Sequence, residues 1–224
     1  MLFRSRATVT EFLLIRHGET DWNRALRFQG QIDVELNEMG LTQAARLAQH
    51  VRHSDWAQAS HWHCSDLKRA LQTAQPLVDD PSLLQAESNL REQGFGIFEG
   101  KSVDELQREQ PTLWAQWRCF DADFELPGGE STRRFHARVM QHLAHLAEQH
   151  RGERLVVVTH GGVLDMVWRS VHGLDLSGYR QCQIPNTGLN HVVWQDGVWR
   201  ILDWARVDHL AGLPPQPVYQ TTSA

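Results

Sequence analysis

Apolar residues along this chain follow two rhythms, and the alternation between them predicts its elements. Short unbroken runs at Phe12-Leu13-Leu14-Ile15 and Leu155-Val156-Val157-Val158 read as strands covered on both faces, as in a parallel sheet. Elsewhere the spacing lengthens to three and four. Leu41, Ala44, Ala45, Leu47 and Ala48 make a helical stripe from an Asn37 cap to about Val51. His61 to Cys64 predicts a short strand, and Ser65 or Asp66 then caps a helix through Lys68, Arg69 and Thr73. Leu83 to Glu87 is a weaker strand. Ser102-Val103-Asp104-Glu105 has the form of a capping box, opening a helix that Pro111 interrupts. Arg118 to Gly129 is irregular, and a long helix from Thr132 to His150 follows it, with His136, His142, His145 and His150 read onto its solvent face. A helix resumes after His160-Gly161-Gly162. Strands His191 to Trp194 and Val198 to Trp204 flank Asp196-Gly197, a hairpin turn signal.

Strands alternating with helices predict a three-layer α/β/α fold with a mostly parallel central sheet and an antiparallel hairpin at its edge. With no repeat or internal linker, residues 1–204 are read as a single domain. Leu-Pro-Pro-Gln-Pro and Thr-Thr-Ser mark 205–224 as a loosely ordered tail. At 224 residues and 41% hydrophobic, the chain can bury a sizeable core. A net charge of −5 implies no general attraction to nucleic acid or to an anionic membrane surface. No apolar run approaches the roughly 18 residues of a membrane span. Met1 to Thr10 lacks the apolar core of a secretory leader. Cys64, Cys119 and Cys182, odd in number and far apart, fit reduced thiols in the cytoplasm. Trp194, Trp199 and Trp204 on the hairpin fit a homodimer edge as well as they fit core packing.

The two strongest strands both end in histidine, at Arg16-His17-Gly18 and at Thr159-His160-Gly161-Gly162. Ligands of open α/β sheets bind at the carboxyl ends of the strands. Arginine offers a fork of donors matched to phosphate oxygens, and neutral histidine is a nucleophile toward phosphorus. An anionic substrate held by a local positive cluster is therefore expected.

In order, the blocks Arg16-His17-Gly18-Glu19-Thr20 with Trp22-Asn23 and Gln29-Gly30, Ser65-Asp66-Leu67-Lys68-Arg69-Ala70, Leu90-Arg91-Glu92, Pro127-Gly128-Gly129-Glu130-Ser131 and Thr159-His160-Gly161-Gly162 resemble the histidine phosphatase superfamily, in its phosphoglycerate-mutase-like branch. The likeness covers roughly residues 12 to 190. It implies that His17 is the nucleophile of a phosphohistidine intermediate. Arg16, Arg69 and His160 then hold the phosphate, with the Gly161 backbone N–H close by. Glu92 is the general acid for the leaving alkoxide, and afterwards the base for water. Asn23, Gln29 and Gly30 are read as further phosphate or substrate contacts, beside the plainer reading of loop hydrogen bonds. For Glu92 the plain alternative is a surface carboxylate paired with Arg91. Where phosphatases of the family often carry Trp before the Glu-Gly pair, this chain has Phe98-Glu99-Gly100.

True mutases of the superfamily carry a longer insertion between the acid and the second histidine. Here only 67 residues separate Glu92 from His160, and Arg133-Arg134 reads as solvent-facing helix. The resemblance thus favours a phosphatase of small phosphate monoesters, with a phosphoglycerate mutase as the alternative. It implies no cofactor and no catalytic metal. A lid over about 100–130, rich in Leu113, Trp114, Trp117, Phe120 and Phe124, either packs on the leaving group or forms its own small core. Two readings from other classes stand beside these. His61-Trp-His63 is the one hint of a metal-dependent hydrolase, although alternating histidines on a strand are easily structural. A binding module that only senses a phosphorylated ligand is the other.

Overall fold

The computed structural model describes residues 8–216. Six strands form one sheet in the order β3-β2-β4-β1-β5-β6. They are β1 (Thr10–Arg16), β2 (His61–Ser65), β3 (Leu84–Glu87), β4 (Arg154–Thr159), β5 (Leu189–Gln195) and β6 (Val198–Arg206). The first four run parallel; β5 and β6 add the antiparallel edge, as the hairpin signal predicts. Asp196 and Gly197 turn that hairpin at φ 50° and 83°, the left-handed pair that a type I′ turn demands.

The unbroken apolar runs have a simple cause. Phe12 and Leu14, with Leu155 and Val157, face a cluster built on α6 (Thr132–Gln149) and α7 (Gly161–His172). Leu13 and Ile15, with Val156 and Val158, face the opposite cluster against α2 (Glu38–Arg52) and α3 (Lys68–Ala74). Alternate side chains point to opposite faces and both faces are covered, so no strand position is left for a polar residue. Each fully buried side chain of this kind contributes on the order of 1.5–3 kcal/mol.

The caps that the sequence predicts are made, with one exception, and Thr20 with Asn23 adds a capping box at the one-turn helix α1 (Asp21–Arg24). Asn37 accepts from the Gly40 N–H at 2.8 Å, and Ser102 and Glu105 form the reciprocal capping box of α4 (Val103–Glu109). Pro111 opens the separate helix α5 (Pro111–Trp117). For α3, neither Ser65 nor Asp66 is the cap. Leu67 holds that position with no side-chain bond, because Arg91 draws the Asp66 carboxylate away through two 2.7 Å bonds. Asp33, from a distant loop, accepts from the Lys68 N–H at 2.7 Å instead. Arg91 is thereby committed to Asp66, and the alternative pairing with Glu92 is not made.

Other expectations need correction. Of the four histidines read onto the solvent face of the long helix, only His145 is exposed. His136 bonds the Ser170 hydroxyl at 2.7 Å, His142 lies 2.5 Å from Glu87, and His150 is buried. The 205–224 segment is docked over its described part. Ala205 and Arg206 complete β6, His209 lies 3.2 Å from the Thr187 hydroxyl, and Gln216 exchanges two bonds with the Asn186 backbone. Residues 217–224 lie outside the described residues. The hairpin tryptophans are used within the chain: Trp194 is buried, Trp199 packs on Phe12 and Trp204 on Trp168. Cys64 is a buried apolar residue, its thiol pushed up to about 12 by burial. No helix among the described residues is long and apolar enough to cross a membrane.

Candidate active site

The sheet brings the two histidines together. In the parallel register of β1 with β4, Arg16 stands level with Thr159, and the His17 N–H donates to the Thr159 carbonyl at 2.8 Å. His17 and His160 therefore leave the sheet side by side, their ring centroids 5.2 Å apart. Thr73, on α3, anchors the turn after β1: its hydroxyl accepts from the Gly18 N–H at 2.9 Å and donates to the Arg69 carbonyl at 2.7 Å.

The hydrogen bonds fix which nitrogen of each ring is free. The Gly18 carbonyl lies 2.7 Å from His17 Nδ1 and can only accept, so the proton sits there and Nε2 keeps its lone pair. The Arg69 Nε–H donates to His160 Nδ1 at 3.2 Å, which puts the His160 proton on Nε2. Burial pushes both rings well below the usual histidine range, and the Arg69 and Arg16 guanidiniums push in the same direction. Both rings are neutral at pH 7. Burial also lowers Arg69 to about 10, which leaves it charged. The Gly30 and Ile32 carbonyls, at 2.7 and 2.8 Å, hold its remaining nitrogens.

Neutral buried histidines link folding to pH. The unfolded chain titrates these rings near pH 6.5, whereas the folded chain refuses protons until well below that. Their contribution is fully present above about pH 6.5 and is lost as pH falls toward the folded values. Urea unfolding at pH 5.5 should therefore show a lower midpoint than at pH 7.5. Equal midpoints would mean that the rings take up protons as readily in the folded chain as in the unfolded one.

Glu92 is held by backbone amides. Its Oε1 accepts from the Gln93 N–H at 2.9 Å and its Oε2 from the Gly162 N–H at 3.0 Å, in the first turn of α7. Arg138 braces the loop from behind, donating to the Asn89, Arg91 and Glu92 carbonyls and to Glu130. A Cβ on Gly162 would lie 2.0 Å from Glu92 Oε1. Gly162→Ala should displace that carboxylate, crowd the buried Phe135 ring at 3.0 Å, and cost on the order of 10²-fold in kcat, as misplacing a reacting group by about 1 Å does. Wild-type kcat in this variant would show that the carboxylate needs no such seat.

Arg16, His17, Arg69, Glu92 and Gly161 line one cavity of about 700 Å³, as do Asn23, Gln29 and Gly30. His160 packs fully buried behind His17 and Arg69 rather than on the cavity wall. The Asn23 and Gln29 carbonyl oxygens lie 3.1 and 3.0 Å from the Thr20 hydroxyl, so these two residues organise the loop as well as face the cavity. Gly30 contributes its carbonyl to Arg69. The aromatic segment forms its own small core: Trp114, Trp117 and Phe124 pack with Phe28, Phe95 and Phe98 into a third cluster, and the same Trp114, Trp117 and Phe124 wall the cavity. Arg133 and Arg134 are exposed and pair with Asp123 and Glu125.

Thr73, Arg138 and Gly162 were not singled out for these roles in the sequence, although the Gly161-Gly162 pair is the visible trace of the last. Arg180 also lines the cavity, 4.0 Å from Asp165, and no motif announces it.

Comparison with known proteins gives the same reading. The family model for the histidine phosphatase superfamily, branch 1, matches residues 12–207. The chain belongs to that family. It is 36% identical over 209 residues to a metal-independent phosphoserine phosphatase of Arabidopsis thaliana, covering 92% of this chain and 85% of the relative. It is also 36% identical over 204 residues to phosphoglycerate mutase-like protein 4 of the same plant, covering 89% and 86%. An Entamoeba histolytica phosphoserine phosphatase variant, solved with phosphoserine, superposes with a TM-score of 0.79 at 27% identity, covering 90% of this chain and 99% of that one. The three-layer architecture is that of this family.

Proposed function

We propose that this histidine phosphatase hydrolyses phosphate monoesters of small carboxylate-bearing alcohols, phosphoserine among them, through a phosphohistidine. The observation that carries the reading is the His17 Nδ1 contact with the Gly18 carbonyl, which leaves an uncharged Nε2 lone pair in the cavity. Nε2 attacks phosphorus in line with the ester oxygen. As the P–O bond breaks, Glu92 gives its proton to the departing alkoxide. Charge on the three equatorial oxygens meets Arg16, Arg69 and the Gly161 N–H, the last at the N-terminus of α7 where anions are favoured, while His160 holds the Arg69 guanidinium from behind through its Nδ1. Glu92, now a carboxylate, takes a proton from water. The resulting hydroxide attacks the phosphorus, breaks the N–P bond and releases inorganic phosphate. Every charge in this cycle meets a protein cation or an N–H donor, so no metal ion is needed.

Two features support the substrate class. The named relatives include phosphoserine phosphatases. Arg180 stands on the cavity wall beside the start of α7, within reach of an organic carboxylate, while the aromatic wall covers the carbon skeleton.

The test is inorganic phosphate release from L-phosphoserine and from 3-phosphoglycerate in excess EDTA. Stoichiometric phosphate at an EDTA-independent rate is the expected result. Isomerisation of 3-phosphoglycerate without phosphate release would make the chain a mutase instead.

A further inference from the structure

At the opposite end of the sheet from the phosphate cavity, His61, His63 and His150 gather into a second cluster. His61 begins β2, while His150 and Glu153 lie between α6 and β4. One donor atom from each lies within 4.8 Å of the other two. The His61 and His150 rings face each other with centroids 3.7 Å apart, and His61 Nε2 contacts Glu153. His150 is only 8% exposed, and its Nε2 is buried without a protein partner. Its backbone is fixed by the Thr10 hydroxyl, which lies 3.4 Å from the His150 carbonyl.

We propose that His61, His150 and Glu153 form a binding site for a divalent transition metal of the zinc class, separate from the phosphate chemistry.

The donor chemistry fits. Two imidazole nitrogens and a carboxylate oxygen are a familiar zinc set, and they leave a fourth position for water. Tetrahedral zinc spaces its donors by about 3.3 Å, a modest contraction from the present spread. A cation at this point gives the unpartnered His150 Nε2 a partner. Glu153 is 45% exposed and His61 23%, which leaves a route in from solvent. Immediately behind them, Glu87 accepts from His63 Nδ1 at 2.5 Å, leaving a buried His63 Nε2 without a partner and its ring 5.8 Å from that of His150. That carboxylate–imidazole pairing fixes the orientation of the His63 ring at the back of the site.

Geometry separates this site from catalysis. His61 pairs with Leu155, four residues before Thr159 along β4, so about 13 Å of strand lies between the metal and the phosphate cavity. The metal would tie the end of α6 and the start of β4 to β2. Its expected effect is on stability, with turnover left as it is.

The experiment titrates Zn2+ and, separately, Mg2+ into EDTA-stripped full-length protein, by competition with a chromophoric chelator and by thermal unfolding. The expected result is one tight Zn2+ per chain, a raised Tm, and no response to Mg2+. The His61→Asn/Glu153→Gln double variant should lose that equivalent and the Tm rise while hydrolysing p-nitrophenyl phosphate at the wild-type rate in EDTA. Both substituted side chains are partly exposed and near-isosteric, and retained activity certifies the fold. Co2+ loading of the wild type gives a check that needs no variant: an intense four-coordinate visible spectrum is expected. A weak six-coordinate Co2+ spectrum, an absence of tight Zn2+, or equal Zn2+ binding by the double variant would overturn the proposal. Metal bound at His17 and His160 would betray itself by lost activity and by persistence in the double variant.

Discussion

The His17→Ala protein should release phosphate from p-nitrophenyl phosphate no faster than buffer does, a fall of more than about 10⁴-fold in kcat. Neither His160 nor Glu92 is placed to substitute. His160 has its Nδ1 committed to Arg69 and its proton on the other nitrogen, so it offers no lone pair. Glu92 has each carboxylate oxygen bonded to a backbone amide. The fold should survive, because His17 hangs from a strand end whose backbone bonds to Thr159 and Asn186 do not involve its ring. The measurement is steady-state hydrolysis in EDTA alongside far-ultraviolet circular dichroism. Residual turnover within tenfold of wild type, with the fold intact, would remove His17 from the nucleophile's role.

Glu92→Gln should lower kcat by about 10²–10⁴-fold on an alkyl phosphate and much less on p-nitrophenyl phosphate in the first step. An alkoxide is a poor leaving group without a proton, whereas p-nitrophenolate leaves unaided. The amide cannot deprotonate water, so the second step slows for both substrates and phosphohistidine accumulates. Acid-labile label on the protein after mixing with ³²P substrate would report it. An equal effect on both leaving groups in the phosphorylation step would mean that Glu92 acts only as a structural anchor.

Much of this was legible in the chain because the elements that carry it are locally determined. Two unbroken apolar runs ending in histidine imply adjacent parallel strands, and adjacency sets the His17–His160 spacing. What stayed hidden depends on contacts remote in sequence. The carboxylate that meets the start of α3 is Asp33, 35 residues before Lys68, while Arg91 holds Asp66 away. The histidines of α6 were misplaced for a related reason: a polar residue on a helix is assigned to water unless a partner such as Glu87 or Ser170 is known to lie opposite. Arg180 emerges from a loop without periodicity, and Arg169 fixes that loop by donating to four of its carbonyls.

The pairing of Arg16 with Thr159 has one more consequence. Arg16, His17 and His160 hang from the β1–β4 ladder, while the aromatic wall of the cavity is built from side chains of the 103–126 segment. Changes in that wall leave the ladders untouched. Such a protein can change its diet without relearning how to cut, and new substrates are reached by replacing the upholstery while the frame stays as it is.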